Sequence, residues 1–211
     1  MVKILNVNGR SHQIDAIAEA ATVIREGGLV VYPTETVYGL GADACSDEAV
    51  AKVFAAKGRP LESAISVAVS SFEMALEIAK LNSSARKIFK KFMPGPLTLV
   101  VGAKPIVSKL LTASTGKIGI RIPDHPVALA LIEWVGCPIT TTSANISGRP
   151  SPRTVREALE QLGDRVDVAL DAGRCRLGRP STVVDISSGT PKIIREGPIS
   201  NSDLKKLLKE K

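Results

Sequence analysis

Cysteine and histidine are scarce in this sequence of 211 residues, which has three of the first and two of the second. Cys45, Cys137 and Cys175 are odd in number, lie far apart along the chain and form no C-x-x-C pair. A disulfide framework or a zinc site needs more ligands at closer spacing. We therefore expect three reduced thiols that pack in the core or beside a site rather than act in catalysis.

Aromatic residues and long apolar runs are also rare. Aromatics make up 3% of the chain, which argues against a surface on which bases of single-stranded RNA stack. No segment approaches the roughly 20 apolar residues that cross a bilayer. The N-terminal segment MVKILNVNGR lacks the order of charged, apolar and small residues of a signal peptide. We expect a cytoplasmic protein without a membrane partner.

The formal charge is +7, and part of it lies in the C-terminal segment with Lys205, Lys206, Lys209 and Lys211. A basic protein attracts polyanions through its long-range potential. ATP is a polyanion as RNA is, so the sign of the charge does not separate a nucleotide enzyme from an RNA-binding protein.

Apolar periodicity predicts helices and strands that alternate along the chain. Helices are predicted over 14–24, 46–57, 71–92, 125–135, 154–162 and the lysine-rich end, and strands over 29–32, 64–69, 97–101, 118–122, 138–142 and within VALD, TVVDI and KIIR. This alternation, without a linker, predicts an α/β fold with a single twisted mixed sheet covered by helices. We expect one domain over 1–211, with a basic C-terminal helix over 199–211.

Two glycine-rich segments imitate nucleotide-binding loops. The segment 32–44, YPTETVYGLGADA, has the glycine spacing of a dinucleotide loop, but a polar stretch separates Gly39 from the preceding strand, whereas the Rossmann turn follows its strand at once. The segment 173–181 spaces two glycines as a P-loop does, but Arg179 stands where lysine is needed and Pro180 removes an amide donor. We therefore disfavour both nucleotide loops.

Polar and basic residues recur next to predicted strands, in otherwise apolar or turn-forming surroundings. They are Thr34, Thr36, Lys57, Arg59, Arg121, Ser143, Asn145, Ser181 and Arg195. Ligands of α/β proteins bind in crevices at the carboxyl ends of strands. Taken singly, Arg59 could be a surface arginine and Ser143 a turn residue. Their recurrence favours a site for an anionic ligand.

The ordered motifs PTETVYGLGADA, KGRP, PGPLTLVV, RIPDHP, TTSANISGRPS, STVVDI and R-x-G-P resemble the YrdC-like family of L-threonylcarbamoyladenylate synthases. The resemblance extends over about residues 10–198. It implies a central, positively charged cavity in which L-threonine, bicarbonate and ATP, with Mg²⁺, condense to threonylcarbamoyl-AMP and pyrophosphate. A downstream tRNA threonylcarbamoyl transferase complex would then modify tRNA to threonylcarbamoyladenosine.

The same resemblance implies roles for single residues. Lys57 and Arg59, the K-x-R element, would supply charge and positioning, with no covalent nucleophile. Threonine would be bound by Thr34, Thr36, Arg121, Ser143 and Ser181, with Thr36 the preferred threonine of the loop. ATP would be bound by Arg59, Ser63, Asn145, Arg153 and Arg195. These roles agree with the chemistry, because adenylyl transfer needs positioning and charge neutralisation more than a nucleophile.

The chain departs from many members of that family at four positions. It has Ser63 in place of asparagine, Ala68 in place of histidine, Lys117 in place of threonine and Arg153 in place of a small polar residue. It ends soon after GPIS, so we expect the extra C-terminal domain of longer members to be absent. The sequence assigns no metal ligands.

Two other functions are compatible with parts of the sequence. The first is a non-catalytic module that binds tRNA or double-stranded RNA in a basic cavity, assisted by the lysine-rich tail. The second is a carbamoyl-phosphate-using transferase of the kind that carries a similar domain within a larger protein. The second is disfavoured because no accompanying zinc-finger or acylphosphatase-like sequence is present.

Overall fold

A computed structural model describes residues 1–8, 13–188 and 190–209 of the chain. The helices are α1 Gln13–Arg25, α2 Asp47–Lys57, α3 Phe72–Ile78, α4 Ser83–Phe92, α5 Lys109–Thr112, α6 Pro126–Val135, α7 Val155–Leu162 and α8 Asn201–Lys209. The strands are β1 Lys3–Asn6, β2 Val30–Tyr32, β3 Gly39–Gly41, β4 Val67–Ala68, β5 Ala79–Lys80, β6 Leu97–Ala103, β7 Lys117–Arg121, β8 Ile139–Thr140, β9 Thr142–Ser143, β10 Val168–Asp171, β11 Thr182–Asp185 and β12 Lys192–Arg195.

The ends of α2 follow from the local sequence, and they matter because this helix leads to the K-x-R element. The Ser46 hydroxyl accepts a hydrogen bond from the Ala49 amide at 3.2 Å and caps the N-terminus. Asp47 lies in the first turn, where a negative charge is favourable. Gly58 ends the helix in the left-handed region with φ 57°. The chain can therefore turn sharply between Lys57 and Arg59.

The strands form two mixed sheets. The first has the order β1-β10-β2-β3-β9, and the second has the order β12-β11-β6-β7-β4-β8, with β5 paired to β6. The α/β class and the mixed pairing are confirmed, but the single sheet predicted from the sequence is wrong. The predicted strand over 138–142 divides at Thr141, because β8 pairs with β4 in the second sheet and β9 pairs with β3 in the first.

Other predicted elements are largely confirmed, with local differences. The predicted strand over 64–69 is reduced to Val67–Ala68, and β1, β3, β5 and α5 were not predicted. Gly39–Gly41 is a strand antiparallel to β2 rather than a turn before a helix, which agrees with our rejection of a dinucleotide loop. The predicted basic tail forms α8, but residues 210 and 211 and the side chains of Lys205 and Lys209 lie outside the described part.

Apolar side chains form two core clusters. The larger one includes Leu99, Ile118 and Ile120 of the second sheet, and α2 packs on it through Val50 and Val53. The smaller one joins α1 and α6 to β2 and β10. Among the described residues, no helix has both the length and the apolar character that a bilayer crossing requires.

The glycines of β3 allow Tyr32 to pack flat against the neighbouring strand. Tyr32 is fully buried and is the cross-strand partner of Gly39. A Cβ atom on Gly39 would lie 2.9 Å from Cε1 of the Tyr32 ring, and one on Gly41 would lie 3.1 Å from it. Side chains at Gly39 and Gly41 would therefore displace the Tyr32 ring from its packing against β3.

We predict that Gly39→Ala lowers the free energy of unfolding by about 1–3 kcal/mol, the usual cost of overpacking a core. Gly102→Ala is the matched control, because Gly102 also lies in a strand but its added Cβ would lie 3.8 Å from Lys80, an ordinary contact. Both substitutions reduce the conformational entropy of the unfolded chain by the same amount, so this effect cancels in the comparison. Urea unfolding measures the difference, and equal stability of the two variants would contradict the packing argument.

Candidate functional site

A cavity lies among residues from both sheets and has about 900 Å³ of space, including its open mouth. We call it the central cavity. Eight residues singled out in the sequence line it: Thr34, Lys57, Arg59, Arg121, Ser143, Asn145, Ser181 and Arg195. The fold thus brings together segments that are up to about 160 residues apart in the chain.

Lys57 joins the K-x-R segment to the S-x-N segment. Its Nζ donates hydrogen bonds to the carbonyl oxygens of Ser143 and Asn145, the second at 2.7 Å. The Ser147 amide donates back to the Lys57 carbonyl at 2.9 Å. Lys57 is only 1% exposed. Burial, together with the neighbouring Arg59 charge, lowers the pKa of Lys57 to about 7.

Arg59 uses part of its guanidinium to fold its own loop. Its Nε donates to the Ser63 carbonyl at 3.0 Å and its Nη2 donates to the Ala64 carbonyl at 2.7 Å. Burial lowers the pKa of Arg59 from its usual value. An arginine has five N–H donors, so donors remain for a ligand in the central cavity. Ser63, assigned to ATP from the sequence, contacts Arg59 through its backbone and is outside the lining.

Arg121 is paired with a carboxylate that the sequence analysis did not single out. Its Nη2 lies 2.7 Å from Oε2 of Glu35, and the two side chains are 6% and 2% exposed. The contact is not aligned as a hydrogen bond, so both Glu35 oxygens and Arg121 Nη2 lack a hydrogen-bond partner among the described residues. Nε of Arg121 donates to the Gly95 carbonyl at 3.3 Å. A buried arginine needs such a partner, but the sequence does not show which carboxylate supplies it.

Ser181 and Arg195 form one hydrogen-bonded unit at the side of the cavity formed by the second sheet. Nε and Nη2 of Arg195 donate to the Ser181 carbonyl at 3.0 and 2.9 Å, and Nη2 also lies 3.1 Å from the Ser181 hydroxyl. The Ser181 hydroxyl is 2.8 Å from that of Thr98. Arg195 is the last residue of β12, whereas Ser181 comes directly before the first residue of β11. The site therefore includes the N-terminal end of one strand as well as the C-terminal ends of others.

The two threonines of the PTET segment have different environments. Thr34 lines the central cavity, while Thr36 is fully buried outside the lining. Their hydroxyls are 2.8 Å apart, and the Thr34 hydroxyl donates to the Val37 carbonyl at 2.7 Å. Thr34 therefore borders the cavity, whereas Thr36 contacts the Thr34 hydroxyl from outside the lining.

Asn145 and Ser147 bring buried polar atoms without partners to the cavity. Asn145 Nδ2 donates to the carbonyls of Ile146 and Arg149 at 2.9 and 2.7 Å, which fixes the amide. Among the described residues, nothing donates to Oδ1 of Asn145, and Oγ of Ser147 has no partner either. Buried polar atoms are normally hydrogen-bonded, so these two are candidates for contact with a ligand.

Three other positions that the sequence analysis named lie outside the central cavity. Arg153 is exposed and lines a neighbouring depression with Arg149, Arg174 and Arg179. Lys117 pairs with Asp185, with 3.0 Å between Nζ and Oδ2. Ala68 is fully buried in β4. The structure thus separates these residues from the lining.

The lining has a chemical composition suited to oxyanions. It contains four cationic side chains and several hydroxyl groups, and among its described residues it contains no carboxylate, histidine or cysteine. The lining also includes Tyr38, Ser66, Thr98, Thr141, Thr142 and Ser147, which were not predicted from the sequence. The arrangement can bind and orient phosphate and carboxylate groups, but it offers no nucleophile with an adjacent base.

The chain is similar to several known proteins. The sequence model Sua5_yciO_yrdC, described as "Telomere recombination", matches residues 22–197. A threonylcarbamoyl-AMP synthase of Pyrococcus abyssi is 39% identical over the whole chain, which spans 62% of that relative. A putative threonylcarbamoyl-AMP synthase of Mycobacterium tuberculosis is 41% identical over 91% of the chain and 88% of the relative.

A solved structure matches the fold closely. The crystal structure of P. abyssi Sua5 complexed with L-threonine has a TM-score of 0.94 and 39% identity, with 98% of this chain and 61% of that chain covered. The chain thus spans about three fifths of the length of this relative. The likeness covers 98% of the chain, and the family resemblance noted in the sequence is confirmed. The chain belongs to the Sua5/YciO/YrdC family.

Proposed function

We propose that the protein is an L-threonylcarbamoyladenylate synthase that condenses L-threonine, bicarbonate and ATP to threonylcarbamoyl-AMP and pyrophosphate. The observation that carries the proposal is the convergence of Lys57, Arg59, Arg121 and Arg195 on one cavity, in a chain about 40% identical to proteins named for this activity. The P. abyssi relative was solved with L-threonine, which supports threonine as the amino acid.

We assign the two sides of the central cavity to the two larger substrates. Arg121 has donors left beyond its pair with Glu35 and would meet the threonine carboxylate, with Thr34, Ser143 and Ser181 nearby in the lining. Arg59, Arg195 and Asn145 would meet ATP, and Lys57 would neutralise charge between the two. Thr36, Ser63 and Arg153 would act indirectly, because they lie outside the lining.

The proposed reaction needs no covalent enzyme intermediate. Bicarbonate would carboxylate the threonine amine with loss of water, and an oxygen of the new carboxylate would attack the α-phosphorus of ATP as pyrophosphate leaves. The protein would hold these groups in line and neutralise the phosphates. Because the described lining contains no carboxylate, we place Mg²⁺ on the ATP phosphates. The product would pass, in the cytoplasm, to a tRNA threonylcarbamoyl transferase complex.

We predict that the purified protein, given ATP, Mg²⁺, bicarbonate and L-threonine, forms threonylcarbamoyl-AMP and pyrophosphate in equal amounts. Mass spectrometry of the mixture measures the adenylate, and a phosphate-release assay coupled to pyrophosphatase measures the second product. Omission of threonine or bicarbonate should abolish both. Absence of the adenylate, in a mixture in which a known synthase forms it, would contradict the proposal.

The RNA-binding module stays a prediction, and binding measurements separate it from the synthase. A non-catalytic module should bind tRNA with an affinity that falls steeply as salt is raised. Loss of residues 205–211 should weaken that affinity, and ATP with threonine should not compete. The synthase should instead bind ATP and threonine in the central cavity whether or not RNA is present.

We predict that Arg59→Lys and Arg195→Lys each reduce kcat/KM roughly tenfold to 150-fold, which corresponds to about 1.5–3 kcal/mol for hydrogen bonds to charged groups. Lysine keeps the charge but lacks the planar, multi-donor fork with which arginine holds its carbonyl partners and a phosphate in fixed directions. Arg156→Lys is the matched control, because the Arg156 side chain is 83% exposed on α7. Normal turnover in both cavity variants would mean that these arginines are ordinary surface residues.

We predict that the affinity for ATP falls as the pH rises from 7.5 to 9. The pKa of Lys57 is lowered to about 7, so free Lys57 is mostly neutral in this range, whereas bound phosphates favour its charged form. Binding must then take up a proton, and the affinity falls by at most about tenfold per pH unit. The terminal phosphate of ATP does not titrate in this range, because the second pKa of such a phosphate group is about 6.

Calorimetry in buffers of different ionisation enthalpy measures the proton uptake directly. Lys57→Met should remove the uptake and flatten the pH dependence, whereas Lys117→Met, which changes a lysine outside the cavity, should leave both unchanged. A wild-type affinity that is constant over this range would show that Lys57 keeps its proton in the free protein.

A further inference from the structure

The fold brings together two thiols and a carboxylate that are far apart in the sequence. Asp43 and Cys45 follow β3, and Cys137 lies between α6 and β8. The two segments are held side by side by a backbone bridge between Asp43 and Ile139 and by a 3.0 Å hydrogen bond from the Ala44 amide to the Pro138 carbonyl. Cys45 and Cys137, which are 92 residues apart in the chain, are thus close together in the fold.

The side-chain ligand atoms of this group lie close together. One oxygen of Asp43 and the sulfurs of Cys45 and Cys137 all lie within 4.8 Å of one another. The Cys137 thiol donates to Oδ1 of Asp43 at 3.2 Å. Bonds of about 2.3 Å to sulfur and 2.0 Å to oxygen, in tetrahedral geometry, place ligand atoms about 3.5–3.8 Å apart. Small rotations of the side chains would therefore enclose an ion.

The neighbourhood also suits a cation that reaches the site from solvent. Cys45 is exposed, and Asp43 and Cys137 are partly buried. The carboxylate of Glu77 adds a further negative charge near Cys45. The Cys45 amide donates to Oδ1 of Asp43 at 2.7 Å and so holds the carboxylate in place, as outer hydrogen bonds orient the ligands of known metal sites.

We propose that Asp43, Cys45 and Cys137 bind a thiophilic divalent cation of the zinc class. Two thiolates and one carboxylate select Zn²⁺ or Cd²⁺ over Mg²⁺, which prefers oxygen ligands. On binding, both thiols release their protons to solvent, and a water molecule completes the tetrahedron. The site is separate from the central cavity, since none of its three residues belongs to the lining.

Such an ion would clamp two segments that lead to the central cavity. After Cys45 the chain enters α2, which ends at Lys57. After Cys137 it enters β8 and continues through β9 to Ser143. These two ends meet in the hydrogen bond from Lys57 to the Ser143 carbonyl. A ligand that binds only the folded state raises the stability of that state, so metal should raise the melting temperature.

The test uses the whole chain, reduced and freed of metal with a chelator that is then removed. Titration with Cd²⁺ should give the thiolate-to-metal charge-transfer band with a stoichiometry of one ion per chain, and Zn²⁺ should compete for the same site and raise the melting temperature. Cys45→Ser and Cys137→Ser should each weaken binding by at least about tenfold. Cys175→Ala, which removes the thiol outside the group, should bind as the wild type does.

Three results would overturn the proposal. The first is a charge-transfer band that is equally strong in Cys45→Ser, whose side chain is exposed and tolerates the change. The second is binding that Cys175→Ala abolishes. The third is a protein in which Cys45 and Cys137 form a disulfide in air, seen by mass spectrometry, but which takes up no metal when reduced.

Discussion

The hydrogen bonds from the Lys57 ammonium to the carbonyls of Ser143 and Asn145 are the interaction on which the site depends. They join the end of α2 to the end of β9 and the residues after it, and thus two motifs separated by more than 80 residues. The sharp turn at Gly58 then directs Arg59 into the same cavity. The hydrogen bond from the Ser147 amide to the Lys57 carbonyl reinforces this connection through the backbone.

The charges of the central cavity are balanced unequally. Arg121 is neutralised by Glu35, while Lys57, Arg59 and Arg195 are held by backbone carbonyls and a hydroxyl group rather than by carboxylates. Carbonyl partners orient a cation but leave its charge uncompensated. A positive potential in the cavity, which the family resemblance implies, is therefore a physical expectation. Burial is the main cause of the lowered pKa of Lys57, and the neighbouring Arg59 charge adds to it.

Much of the fold could be predicted from the sequence, because apolar periodicity and capping residues are local signals. The helix predicted over 46–57 and the apolar strand predicted over 97–101 are examples. The division into two sheets could not be predicted, because one apolar strand pattern over 138–142 does not reveal that β8 and β9 pair with different neighbours.

The residues of the site could likewise be predicted only in part from local sequence patterns. Lys57, Arg59 and Ser143 were found as motif residues, but Glu35 was missed because only the folded chain shows which carboxylate faces Arg121. Which of Thr34 and Thr36 borders the cavity depends on how the loop after β2 turns. The approach of Cys45 to Cys137 depends on long-range pairing, since the backbone bridge at Asp43 and the hydrogen bond from Ala44 to Pro138 hold their segments together. Such contacts between distant segments leave no trace in local spacing.

A crystal structure of the protein with L-threonine and a non-reactive ATP analogue would show whether the central cavity binds both substrates. We expect both ligands in the central cavity, with the threonine carboxylate at Arg121 near Thr34 and the triphosphate between Arg59 and Arg195. We also expect Lys57 to remain bound to the two carbonyls that position it. Ligands bound elsewhere, or a cavity that neither ligand enters at saturating concentration, would mean that the central cavity is not the substrate site.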